Sequence, residues 1–97
     1  MDKKRKVLIV DDDKFLLEMY RKKFEADGAE TEVAVGADEA LSKLRTGDNP
    51  DVLILDIIMP GMDGMELLET IRKEKLADKS AIVMLTNESS EETINKA

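Results

Sequence analysis

Val52-Leu53-Ile54-Leu55 is an unbroken apolar run that stops on a carboxylate, Asp56, and is followed by the turn-forming Pro60-Gly61 and then Asp63-Gly64. A strand apolar on both faces needs cover on both faces, so the run predicts a central strand of a parallel sheet with helices above and below it. Asp56 then stands at the C-terminal edge of that strand. Pro60 lacks an N–H and Gly61 tolerates positive φ, so the chain must turn sharply after Met59, and Asp63 is placed to cap a helix beginning near Gly64.

The remaining segments fit the same architecture. Val7-Leu8-Ile9-Val10 is a second short apolar run, ending on Asp11-Asp12-Asp13. From Asp13 the period changes: Leu16, Met19, Tyr20 and Phe24 recur at helical spacing and Asp27-Gly28 supplies the stop, which predicts an amphipathic helix of about three turns. Thr31, Val33 and Val35 alternate with Glu30, Glu32 and Ala34, the pattern of a strand with one wetter face, such as a sheet edge. Ala37, Ala40, Leu41 and Leu44 mark a second helix, ended by Thr46 to Pro50. Leu67, Leu68 and Ile71 mark a third, and Ala81 to Leu85 form a fourth buried strand that stops at Thr86-Asn87. Ser89-Ser90-Glu91-Glu92 has the composition of a helix start.

Strand–helix alternation with buried strands implies a parallel sheet, right-handed crossovers and helices on both faces. With the alternating strand at an edge, the expected order is 2-1-3-4. In such sheets the active groups lie beyond the C-terminal strand ends where the strand order reverses, here between strands 1 and 3. Asp11, Asp12, Asp56 and Thr86 all occupy strand C-terminal ends, so four separate positions converge on one crevice.

Composition narrows the chemistry available there. The 97 residues suit one domain, and they include no cysteine and no histidine, which removes thiol nucleophiles, disulfides, histidine bases and structural zinc. The formal charge of −7 is uneven: residues 2–6 carry +3, leaving −10 for residues 11–97. An acidic body argues against nucleic-acid binding by this segment and favours cations held near carboxylates. The basic residues Lys3 to Lys6 are read as a solvated tail ahead of the first strand. No apolar run approaches the roughly 18 residues of a membrane helix, and the N-terminus lacks an apolar signal segment, so the expectation is a soluble, cytoplasmic protein without a membrane partner.

Three carboxylates crowded into a crevice invite a proton or a cation. Oxygen donors alone suit a hard divalent ion such as Mg2+ and disfavour zinc and copper. Beside such an ion Asp56 is a candidate nucleophile that becomes an aspartyl phosphate, with the Thr86 hydroxyl donating to a phosphoryl oxygen. Asp13 and Asp63 are better read as helix caps, and Met59 and Met62 as packing.

Taken together, the apolar run before Asp11-Asp12, Asn49-Pro50-Asp51 leading into Val52 to Asp56, the loop Met59-Pro60-Gly61-Met62-Asp63-Gly64, and Ala81 to Leu85 before Thr86 resemble the receiver domains of two-component response regulators. The resemblance implies a flavodoxin-like, three-layer α/β/α fold. It implies that Asp56 is the phosphoacceptor served by a sensor histidine kinase, and that Asp11, Asp12, Asp56 and the backbone carbonyl of Ile58 hold Mg2+. Thr86 would be the switch hydroxyl, and Ile58 and Glu88 occupy positions where the family tunes phosphoryl lifetime. Such a module is a signalling protein and not a turnover enzyme.

Family members continue through a fifth strand bearing a lysine and a fifth helix. This sequence stops before both, so the expectation is one receiver-like domain over residues 1–97, C-terminally truncated and lacking the fifth βα unit. Lys79 and Lys96 do not match the missing lysine, and phosphotransfer is expected to be impaired. Ala81 to Leu85 would then be an apolar strand with one flank open, expected to pair with a second copy or a complementing chain, or to leave the fold marginally stable. Two further readings compete: an engineered or assembly fragment with a vestigial acid site, and an aspartate-nucleophile phosphatase. For the phosphatase, Asp11-Asp12-Asp13 loosely fits the signature, but Phe15 stands where a small hydroxylated or branched residue is expected.

Overall fold

In the computed structural model, residues 5–57 and 62–85 are described. They form β1 (Lys6–Asp11), α1 (Lys14–Ala26), β2 (Glu30–Val35), α2 (Ala37–Arg45), β3 (Val52–Asp56), α3 (Gly64–Lys73) and β4 (Ala81–Leu85). All strand pairs are parallel and the order is β2-β1-β3-β4, the order expected from the pattern.

The period-2 alternation of the two central strands divides the core into two layers. Leu8, Val10, Leu53 and Leu55 face one side, where they meet Ala37, Ala40, Leu41 and Leu44 of α2 and Leu67 and Ile71 of α3. Val7, Ile9 and Ile54 face the other, against Leu17, Tyr20 and Phe24 of α1. Burying each such leucine or isoleucine is worth about 1.5–3 kcal/mol, more than any cap or surface ion pair supplies, so these contacts fix where the helices lie.

The caps set where each helix starts. Asp13 precedes α1 with extended backbone and its carboxylate accepts from the N–H groups of Phe15, at 2.9 Å, and Leu16, at 3.3 Å. Asp63 and Glu66 form a reciprocal capping box at α3, with Glu66 N–H donating to Asp63 at 2.9 Å and Asp63 N–H to Glu66 at 3.2 Å. Both acids are caps, as the sequence suggested. Gly28 ends α1 at φ 94°, a conformation that a side chain would strain, while its N–H reaches Glu25 C=O at 3.0 Å.

Several details depart from the sequence reading. The buried anchor of α1 is Leu17, and Met19 points outward at 50% exposure, because the inward stripe runs Leu17–Tyr20–Phe24. On β2, Ala34 is fully buried beneath α2, so the face expected to be wetter is partly covered. β4 is not a buried strand: Val83 is 42% exposed, and among the described residues β4 pairs only with β3. Lys6 is part of β1, not of a solvated tail. Its ammonium contacts Asp48 at 2.6 Å and its N–H donates to the Asp51 carboxylate at 2.8 Å. The expected helix start at Ser89 to Glu92, together with Lys96, lies outside the described residues.

Candidate functional site

β1 and β3 are adjacent parallel strands whose register runs from Val7 opposite Val52 to Val10 opposite Leu55, so the residues that follow, Asp11 and Asp56, emerge side by side. Parallel pairing does this without any special contact: strands that point the same way end at the same edge. Asp11 and Asp56 are 3% and 2% exposed, whereas Asp12 is exposed at the rim. One carboxylate oxygen from each of Asp11, Asp12 and Asp56 lies within 4.8 Å of the others. The three acids singled out by sequence therefore meet.

Burial pushes the Asp11 carboxyl above the ordinary carboxylate range. The Asp13 N–H, donating to it at 2.9 Å, pulls the other way; the neighbouring Asp12 adds to the rise and the Asp56 carboxyl opposes it. A half-dry cluster of this kind favours whatever neutralises it. The donor set is all oxygen and its spacing suits a small hard cation sharing several carboxylates, which is the coordination Mg2+ accepts.

Just past the end of β3, Ile57 N–H donates to Leu85 C=O at 2.7 Å, and Gly64 N–H at the start of α3 donates to Ile57 C=O at 2.9 Å. Ile58, Met59, Pro60 and Gly61 lie outside the described residues, as do Thr86 and Glu88. The carbonyl expected from Ile58 and the hydroxyl expected from Thr86 are accordingly not placed.

A model of the response regulator receiver domain matches residues 7–97. The chain belongs to this family. As a receiver domain of two-component signalling, it is 34% identical over 82 residues to the alkaline phosphatase synthesis transcriptional regulatory protein PhoP of Bacillus subtilis, a match covering 84% of this chain and 33% of that protein. It is 36% identical over 81 residues to the phosphate regulon transcriptional regulatory protein PhoB of Rhizobium meliloti, covering 84% and 35%. The receiver chain thus spans about a third of the length of these curated relatives. Among solved structures, the chemotaxis protein CheY4 of Vibrio cholerae superposes with a TM-score of 0.83 at 34% identity, over 97% of this chain and 78% of that one. TrrA of Thermotoga maritima, solved in complex with Mg2+ and BeF, superposes with a TM-score of 0.78 at 36% identity, over 92% and 75%. These likenesses bear out the receiver resemblance and the flavodoxin-like fold.

Sequence reasoning missed a second charged cluster, at the opposite end of the sheet. Asp48, in the loop before β3, holds the Lys6 ammonium and lies beside Glu32 of β2. One Glu32 carboxyl oxygen is buried without a donor, and Asp48, with burial contributing second, drives the Glu32 pKa upward. Glu32 and Asp48 are far apart in the chain, and only the alternation that turns Glu32 toward the side of Ala34 hinted at the contact.

Among the described residues no helix is long and apolar enough to cross a membrane.

Proposed function

We propose that this receiver domain accepts a phosphoryl group on Asp56 from the phosphohistidine of a sensor histidine kinase, with Mg2+ held by Asp11, Asp12 and Asp56. The observation that carries the reading is the meeting of three carboxylates from two adjacent strand ends within 4.8 Å. Mg2+, when bound, supplies the positive charge that offsets these acids and the incoming phosphoryl oxygens. Asp56 acts as nucleophile: a carboxylate oxygen forms the new O–P bond as the P–N bond of the donor breaks. The electron pair returns to the imidazole nitrogen, which takes up a proton. Asp11, buried and reluctant to carry charge alone, is the acid that gains most from a cation held beside it. Asp12, exposed at the rim, would help hold the same ion with its carboxylate.

Ile58 and Thr86 complete the proposal through the family resemblance, Ile58 by its backbone carbonyl toward Mg2+ and Thr86 by a hydroxyl that follows the phosphoryl group. The module is a stoichiometric signal acceptor and not a turnover enzyme. The test is labelling by a small phosphodonor such as acetyl phosphate with Mg2+, read by intact mass and by peptide mapping. One phosphoryl group on Asp56, lost in Asp56→Asn and without Mg2+, is the expected result. Label on Asp11 instead would favour phosphatase-type chemistry, and label on neither acid would leave the cluster a structural feature.

A further inference from the structure

The first residue of α3 presses against the peptide that leaves Asp56. A Cβ placed on Gly64 would stand 2.3 Å from the Asp56 carbonyl oxygen, 2.8 Å from the Ile57 Cα and 2.9 Å from the Asp56 carbonyl carbon. Gly64 is buried and lies within the helix, so backbone freedom is not what the position needs. It needs the space. The three nearest atoms are all backbone, so none of them can swing aside as a flexible side chain would.

Which side would yield to a side chain follows from how each is held. The start of α3 is clamped by the Asp63–Glu66 capping box and by Leu67 and Ile71, both fully buried. The β1 ladder on β3 runs to Val10 opposite Leu55 and the β4 ladder to Asp56 opposite Leu85; past these, Ile57 donates its N–H to Leu85 C=O and accepts at its own C=O from Gly64 N–H. The Asp56–Ile57 peptide lies past the paired length of β1 and β3, and Ile57 is hydrogen-bonded to Gly64, so a Cβ on Gly64 bears directly on this peptide. Moving from 2.3 Å to an ordinary contact of 3.4 Å displaces it by about 1 Å.

We infer that Gly64 is a positioning residue for Asp56: its missing side chain lets the end of β3 lie where the three carboxylates converge. The inference rests on the reading of Asp56 as phosphoacceptor and metal-site carboxylate. An error of about 1 Å in a reacting group costs on the order of 100-fold in rate.

The experiment compares the wild type, Gly64→Ala, and Ile71→Val as a control that weakens the buried face of α3 away from Asp56. Each protein is measured where circular dichroism shows it folded, for Mg2+ affinity by calorimetry, for the amide shifts of Asp56 and Ile57 by NMR, and for the rate of labelling by acetyl phosphate. Gly64→Ala is expected to bind Mg2+ about tenfold more weakly, label on the order of 100-fold more slowly and move the Asp56 and Ile57 amides, while Ile71→Val leaves all three unchanged. Mg2+ affinity and amide shifts within error of the wild type would overturn the inference, as would equal losses in Ile71→Val. If Gly64→Ala stays unfolded even in the cold with trimethylamine N-oxide, the residue serves packing alone and the inference also falls. Absence of label on the wild type would sink the phosphoacceptor reading instead, and the Mg2+ and NMR measurements would still decide the role of Gly64.

Discussion

Replacing Asp56 by Asn should stabilise the metal-free protein. The side chain keeps its shape and can no longer ionise, while its amide N–H preserves a donor toward Asp11, whose raised pKa the Asp56 carboxyl opposes. With carboxylate oxygens no more than 4.8 Å apart, each like-charge pair costs about 3.5 kcal/mol at an effective dielectric of ~20. Two effects reduce what is recovered: Asp12 is exposed to water, and the Asp11 carboxyl, raised by burial, already sheds part of the repulsion by holding a proton more readily. A net gain of about 1–2 kcal/mol remains, or roughly 4–16 °C in Tm for a chain of this size. Urea unfolding at pH 7 and low salt, first with chelator and then with Mg2+, measures it. At a hundredfold excess over its Kd, Mg2+ should stabilise the wild type by about 2.7 kcal/mol and the variant by visibly less, so that the gap narrows or reverses. Equal stability without metal, together with an equal response to Mg2+, would show that the three acids neither repel one another nor share an ion.

Two further perturbations probe the scaffold. The Glu32 pKa is raised, first by the adjacent Asp48, so the native state holds that proton more tightly than the unfolded chain does. Its contribution is complete below the ordinary glutamate value and is lost as pH rises through the raised one. Asp48 is lowered and acts in the opposite sense at a more acidic pH, while Lys6, Lys43 and Glu30 face the same cluster. Glu32→Gln, which donates to Asp48 at every pH, should remove this part of the decline and be more stable than the wild type at pH 7 by up to about 1 kcal/mol. Parallel stability–pH curves for the two proteins would refute the shared proton. Lys75 is exposed and left-handed at φ 60°, so Lys75→Gly should raise stability by about 1 kcal/mol in chemical unfolding; a loss of stability would mean that its side chain contributes more than its backbone costs.

What the sequence made legible depends on whether a feature is local or is imposed by neighbours. The strand ends were readable because an apolar run that stops on Asp11 or Asp56 fixes its own limit, and parallel pairing then aligns those limits without any knowledge of contacts. Caps were readable for the same reason, since Asp13 and Asp63 act within three residues. The face of α1 was not, because Leu16 and Leu17 are both apolar and only packing against Val7, Ile9 and Ile54 on the sheet chooses Leu17. Ala81 to Leu85 is apolar throughout, and such a run reads alike in the middle of a sheet and at its margin. The left-handed Lys75 and Ala77 carry no glycine to announce them. Gly64 shows the limit most clearly. Next to the capping Asp63 it looks like an ordinary helix start, yet what demands glycine is a carbonyl oxygen eight residues earlier in the chain, on the acid that carries the proposed chemistry. A side chain's absence is specified by its spatial neighbour, and a linear pattern records only that something small stands there.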